Sequence, residues 1–231
     1  MSKPRLLDLF SGAGGAAVGY HRAGFEVVGV DLHPQKNYPF EFHQADAMTF
    51  PLEGFDVIHA SPPCQAHTAL KAMWNAREHP DLIPATRERL RASGKPYVIE
   101  NVPGSPLKDY LTLCGSMFKL GCEEAELRRH RWFETNPRLF LAPECQHDWK
   151  AQTIACYGHS GGWSNRVRER TAVIGVYGDH GRDRRRRMNG QNFSVAKRAE
   201  AMGIDWMTGK ELTQAIPPAF CEWIGRALRR R

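Results

Sequence analysis

Apolar residues in this chain come in short runs separated by glycine, proline and acidic breaks. Leu6 to Phe10 is apolar around one aspartate, Ser11 to Gly15 forms a small-residue turn, and Ala16 to Ala23 has the make-up of a short helix closed by Gly24. A second apolar run, Val27 to Val30, ends at Asp31. Short apolar runs bounded by turn formers predict buried strands, and a strand, glycine turn, helix and strand ending in an acid has the general form of a nucleotide-binding βαβ unit. Phe55 to Ala60 and Tyr97 to Glu100 predict further strands, with a helix between them over Leu82 to Ser93 before Gly94. This alternation predicts an α/β fold on a mostly parallel sheet.

Over residues 132–192 the alternation gives way to scattered Gly, Pro, Trp and Arg. The pattern predicts an α/β domain over 1–131, a small loop-rich region over 132–192, and a segment over 193–231 that returns to the first domain. In that last segment Ser194 is placed to cap a helix running through Met202 to Gly203, and Thr208 with Glu211 has capping-box spacing. Pro217 and Pro218 then precede a final helix, Ala219 to Leu228.

Composition narrows the function classes. A chain of 231 residues with 42% hydrophobic content can bury one sizeable core. No stretch approaches the roughly 18 unbroken apolar residues that a membrane span needs, and Met1 to Arg5 lacks a secretory pattern, so a cytoplasmic protein with no membrane role is expected. The 6 cysteines are too sparse for a disulfide framework, and most are expected as free thiols. Lys and Arg total 32 against 25 acidic residues, a net charge of +7 that favours a polyanionic partner. The excess is concentrated in Arg182 to Arg187, in Arg166, Arg168 and Arg170, and at Arg229 to Arg231, where a solvated loop and a frayed tail are the plainer alternatives.

Candidate chemistry sits at the ends of the predicted strands. Asp8, Phe10, Ser11, Gly12, Ala13, Gly14 and Gly15 make a turn whose glycines permit close approach of backbone amides to a ligand. Asp31, followed by Leu32, is placed to hold two ribose hydroxyls. Asp46, followed by Ala47, is placed to accept from an adenine amine, and Phe10 to pack on an adenosyl group. Ser61-Pro-Pro-Cys-Gln65 directly follows the Phe55 to Ala60 strand, so Pro63 and its neighbour stiffen a loop that presents Cys64 at the carboxyl edge. Glu100 ends the next strand, as either a solvated acid or a buried proton donor. In Leu127-Arg-Arg-His-Arg131, a strand would put Arg129 and Arg131 on one face.

In order and spacing, Asp8 to Gly15, Ser61 to Gln65, Glu100 to Val102 and Arg128 to Arg131 resemble the motifs of the DNA cytosine-5 methyltransferase family. Gln214 to Pro218 before a last helix is similar to the family's closing motif. The resemblance implies a Rossmann-like methyltransferase sheet, S-adenosylmethionine as cofactor, and duplex DNA with a flipped cytosine as partner. It implies that Cys64 attacks C6, that Glu100 engages N3, that Arg131 holds O2 and that Arg129 supports the thiolate. Gln214, Leu32, Ala47 and Pro63 join the cofactor site on the same ground. The region over 132–192 then becomes a compact recognition segment, in which Trp149, Tyr157, Trp163, Tyr177 and the arginine run suit stacking and phosphate binding.

Leu127, Gln214 and Asp31 stand where the family more often has glutamine, asparagine and glutamate. The short recognition segment leaves open the same chemistry on RNA or single strands, where the base is already accessible. A catalytically silent nucleic-acid-binding protein is the remaining alternative, and the presence of Cys64, Glu100 and Arg131 together argues against it. Cys145, His147, Cys156 and His159 are soft ligands in number enough for zinc, but the spacing is not a standard zinc pattern; buried thiols and surface histidines without metal are the expectation.

Overall fold

A computed structural model of the protein describes residues 2–65, 67, 80–122, 125–140, 142–146, 172–174 and 194–230. Its centre is a seven-stranded sheet. In chain order the strands are β1 (Arg5–Leu9), β2 (Glu26–Asp31), β3 (Glu41–Gln44), β4 (Val57–Ala60), β5 (Tyr97–Asn101), β6 (Leu111–Leu113) and β9 (Arg131–Asn136), and in space they run β3-β2-β1-β4-β5-β9-β6. The neighbours from β3 to β5 pair in parallel, while β9 runs antiparallel to both β5 and β6.

Strands β1, β2, β4 and β5 are mostly apolar because both faces of the sheet are covered there. Side chains alternate between the faces with a period of two. Leu6, Val27, Val57 and Val98 pack with residues of α1 (Gly15–Arg22) and α5 (Pro218–Arg229). Leu7, Val28, Ile58 and Ile99 point the other way, onto Ile83 and Leu90 of α2 (Ile83–Ala92). Leu7 and Ile58 are fully buried, and each such side chain contributes about 1.5–3 kcal/mol.

The close approach of α1 to α5 depends on small residues. A side chain at Gly15 would collide with the carbonyl of Ile216, and one at Gly19 with that of Pro218. The C-terminal segment therefore seats directly on the helix after the first turn. It includes α3 (Val195–Met202), capped by the Ser194 side chain accepting from the Lys197 amide, and α4 (Gly209–Gln214), which opens on the Thr208–Glu211 capping box. These helices pack near a small second sheet of β7 (Gly121–Cys122), β8 (Ala125–Leu127) and β10 (Ala172–Ile174), ordered β10-β8-β7.

The helices and the four strands predicted from apolar runs occur within a few residues of their expected bounds. The sheet, however, continues past residue 131, because β9 is one of its inner strands. Most of the region over 132–192, with Trp149, Tyr157, Trp163, Tyr177 and Arg182 to Arg187, lies outside the described residues. Arg229 is no frayed tail: it ends α5 and donates from Nη1 to the carbonyl of Ala23 at 2.9 Å. Among the described residues no helix is long and apolar enough to cross a membrane.

Candidate active site

The carboxyl ends of β1, β2, β4 and β5 lie along one edge of the sheet, and antiparallel β9 begins at that edge, with Trp132 opposite Asn101. This arrangement gathers the loop after β1, Asp31, the Cys64 loop, Glu100 and Arg131 from distant parts of the sequence. Open α/β sheets bind ligands at this edge.

The loop after β1 turns sharply. Phe10 has φ 57°, Gly12 φ 51° and Gly14 φ 85°, the left-handed region that glycine enters without steric cost and Phe10 does not. The turn is held by the Ser11 amide donating to the Val30 carbonyl at 3.1 Å and by the Gly12 amide donating to Asp31 Oδ2 at 3.0 Å. Asp31 Oδ1 also accepts from the His33 amide at 3.0 Å. Trp206 Nε1 donates to the Ala13 carbonyl at 2.9 Å, so the returning segment closes over the turn.

Other residues expected at the cofactor divide. Leu32, Asp46, Pro63 and Gln214 are exposed, Asp46 accepting from the Met48 amide at 2.8 Å. Ala47 is buried in the core beside β2. Asp8 is buried to 1% exposure in mid-strand, beneath Tyr38, whose hydroxyl lies 3.5 Å from Oδ2. Burial holds the Asp8 carboxyl well above the usual carboxylate range. Asp8 is thus set behind the edge, not on it.

The Cys64 loop is fixed from beneath. The Ser61 amide donates to the Leu9 carbonyl at 3.1 Å, and buried Asn101 donates from Nδ2 to the Pro62 carbonyl at 2.8 Å. Cys64 is half-buried. Burial, and next the charge of Glu100, push its thiol up, while Arg131 and Arg129 pull it down. Arg129 has contacts with the C-terminal segment as well. It is fully buried and, lying outside any strand, donates from Nη2 to the carbonyls of Thr213 and Ala215, both at 2.9 Å. The expected shared strand face for Arg129 and Arg131 is not what forms: only Arg131 is in β9.

Glu100 is 6% exposed. Burial raises its carboxyl, and the opposing pull of Arg131, Arg129 and Ser61 does not cancel that rise. Arg131 Nε sits 2.9 Å from Glu100 Oε1, but Oε1 has no aligned hydrogen bond; the two charges are close without their lone pair and N–H being directed at each other. Arg131 Nη1 is turned to the carbonyl of His130 at 2.9 Å.

A buried chain behind Glu100 was not legible in the sequence. Tyr20 Oη is 2.9 Å from His59 Nδ1, and His59 Nε2 is 2.8 Å from Ser61 Oγ. Ser61 in turn lowers the Glu100 carboxyl, as a hydroxyl directed at a carboxylate does. Burial lowers the His59 pKa to about 3, so the ring is neutral. If Ser61 donates to the carboxylate, the ring must donate from Nε2 and accept from Tyr20 at Nδ1. The only sequence signal was a histidine inside the apolar run Val57 to Ala60.

No protein-family model matches this sequence, and no curated protein matches it. Solved structures do. A prophage-encoded E. coli protein assigned as a DNA modification methyltransferase superposes with TM-score 0.56 at 16% identity, covering 99% of both chains. The Dnmt2 methyltransferase of S. pombe gives TM-score 0.55 at 16% identity, again over 99% of both chains. A methyltransferase of Entamoeba histolytica gives 0.51 at 14%, over 99% of this chain and 98% of the other. Likeness at such low identity speaks for architecture, and with the strand order above it establishes the Rossmann-like α/β fold that these methyltransferases share.

Proposed function

We propose that this protein transfers a methyl group from S-adenosylmethionine to carbon 5 of cytosine in DNA through a covalent Cys64 adduct at C6. The observation that carries this reading is the convergence of Cys64, Glu100 and Arg131 at one sheet edge, with Glu100 Oε1 buried and lacking an aligned hydrogen bond. A buried acceptor left in this state is expensive unless a ligand completes it.

The edge beside it fits the cofactor. The half-buried turn after β1 and the Asp31 carboxylate at the end of β2 are suited to the amino-acid and ribose parts, and Phe10 is suited to packing on the adenosyl group. Bound there, S-adenosylmethionine supplies a methyl group on a sulfonium, which leaves as the thioether. The chain's own residues activate the ring. The Cys64 thiol loses its proton to solvent, and the thiolate adds to C6. Glu100, whose carboxyl burial raises, takes up a proton as the base enters and donates it to N3, which lets the C5–C6 electron pair become an enamine. Arg131 stabilises negative charge developing at O2. C5 then takes the methyl group and loses its proton to solvent, the C6–S bond breaks to return the thiolate, and N3 gives its proton back to Glu100.

Replacing the target cytosine by 5-fluorocytosine blocks that proton loss. With S-adenosylmethionine present, the protein should form a denaturation-resistant adduct mapping to Cys64 by peptide mass spectrometry, and Cys64→Ala should lose both adduct and turnover. Duplex DNA, single-stranded DNA and tRNA are assayed in parallel. An adduct at another thiol, or C5 methylation by Cys64→Ala, overturns the reading; activity on tRNA alone overturns the DNA part.

A further inference from the structure

A second cluster of reactive side chains lies away from the Cys64 site. Cys114 follows β6, His130 precedes β9 and Cys145 follows the strand's far end, yet their ligand atoms all lie within 4.8 Å of one another. Cys145 Sγ is 3.4 Å from His130 Nε2 and 3.6 Å from Ser116 Oγ. Tetrahedral zinc with bonds of roughly 2.0–2.3 Å holds its ligand atoms about 3.3–3.8 Å apart, so only small shifts separate this cluster from a coordination sphere.

We propose that Cys114, His130 and Cys145 bind a zinc ion that clamps the ends of β6 and β9 together. The donors are the soft nitrogen and sulfur atoms that zinc selects over magnesium or calcium. Cys114 is fully buried and Cys145 exposed, so the site has a fixed floor and an open mouth. Two thiolates and a neutral imidazole around a dication carry no net charge, and binding releases the two thiol protons. The fourth position falls to water or to another donor of the chain.

The set differs from the one spacing offered. Cys145 belongs to both, whereas His147, Cys156 and His159 lie outside the described residues; Cys114 and His130 are brought in by the pairing of β6 with β9, which no local spacing announces. The place also has a consequence. His130 stands between Arg129 and Arg131, so a metal on its ring pins the backbone that sets both arginines of the Cys64 site.

The test is metal analysis of the full chain purified from zinc-supplemented cells and dialysed against metal-free buffer, and it is independent of the methylation reading. About one zinc per chain is expected. Replacement by cobalt should give thiolate-to-metal charge-transfer absorption. Cys145→Ser, at an exposed position that should not disturb folding, should weaken zinc binding by about tenfold or more with an unchanged circular dichroism spectrum, as should Cys114→Ser where it folds. Cys122→Ser should keep the metal. A reduced protein that takes up neither zinc nor cobalt overturns the proposal, as does zinc retained undiminished in Cys145→Ser or a Cys114–Cys145 disulfide in place of the metal.

Discussion

Strand β9 carries one member of each of two buried arginine–glutamate pairs, and the pairs are built in opposite ways. Glu134 accepts from Arg87 Nε at 2.8 and 2.9 Å, from Arg87 Nη2 at 2.7 Å and from the Lys108 amide at 2.8 Å. Arg87 Nη2 also reaches the Pro106 carbonyl at 2.7 Å. Both carboxylate oxygens have a donor, and the pair ties α2, the segment before β6 and β9 into one piece. At the other end of the strand Arg131 meets Glu100 by a single close contact, with Oε1 lacking an aligned bond. Both pairs are nearly dry, with side-chain exposures of 8% and 5% against 10% and 8%. Burial therefore cannot be what distinguishes them; completeness of hydrogen bonding is. A satisfied pair holds the fold, and an unsatisfied one keeps capacity for a ligand.

The sharpest way to break this contrast is through turnover. Glu100→Gln keeps the shape but cannot donate the same proton, and it should lower methyl transfer by roughly 100- to 10,000-fold. Steady-state assay on a cytosine-containing duplex reads this directly. Thermal unfolding should move little, since the lost carboxylate made no directed bond at Oε1. A Glu100→Gln protein with near-normal turnover, or one grossly destabilised, would mean that this pair is structural after all.

The converse substitution is next in size. Glu134→Ala leaves a buried guanidinium unpaired and should cost about 3–5 kcal/mol of stability, measured as a lower urea midpoint with the slope unchanged. Where the variant remains folded, turnover should stay within a few-fold of the parent, because Glu134 touches neither Cys64 nor Glu100. A stable Glu134→Ala protein would remove the distinction between satisfied and unsatisfied pairs.

The same contrast explains what the sequence disclosed. The parallel half of the sheet was legible because β1, β2, β4 and β5 are buried on both faces and read as apolar runs. Strand β9, Arg-Trp-Phe-Glu-Thr-Asn, was not, since its polar residues are paid for by partners far away in the chain. Cys64, Glu100 and Arg131 were legible as motif residues at strand ends. The state of each was not: whether Glu100 is solvated or buried, and that the Cys64 thiol is raised and not lowered, depend on how β4, β5 and β9 come together. The burial of Asp8 was hidden for a related reason, since a strand aspartate next to a glycine turn looks exposed until Tyr38 is seen beside it. The His59 chain and the Cys114–His130–Cys145 cluster exist only through tertiary pairing, which spacing along the chain does not record.

The smallest expected effect is also the most discriminating, because it reads the electrostatics of the Cys64 site without any substrate. The Glu100 charge raises the Cys64 thiol and the Arg131 charge lowers it. Glu100→Gln should therefore lower the Cys64 pKa and Arg131→Gln should raise it. Below its pKa the thiol's reactivity follows the thiolate fraction, which changes about tenfold for each unit. A less basic thiolate is also a weaker nucleophile, by about threefold per unit, so the net gain is about threefold for each unit of lowering. Iodoacetamide alkylation near neutral pH, followed at the Cys64 peptide by mass spectrometry, should thus be a few-fold faster in Glu100→Gln, slower in Arg131→Gln and unchanged in Glu134→Gln, whose charge lies at the far end of β9. Glu100→Gln would then have a more reactive thiol and a far slower methyl transfer. That combination separates a proton donor from a residue that merely activates the nucleophile, whose loss would slow both. Slower alkylation in Glu100→Gln would reverse the sign argued here and remove the carboxylate from its assigned role.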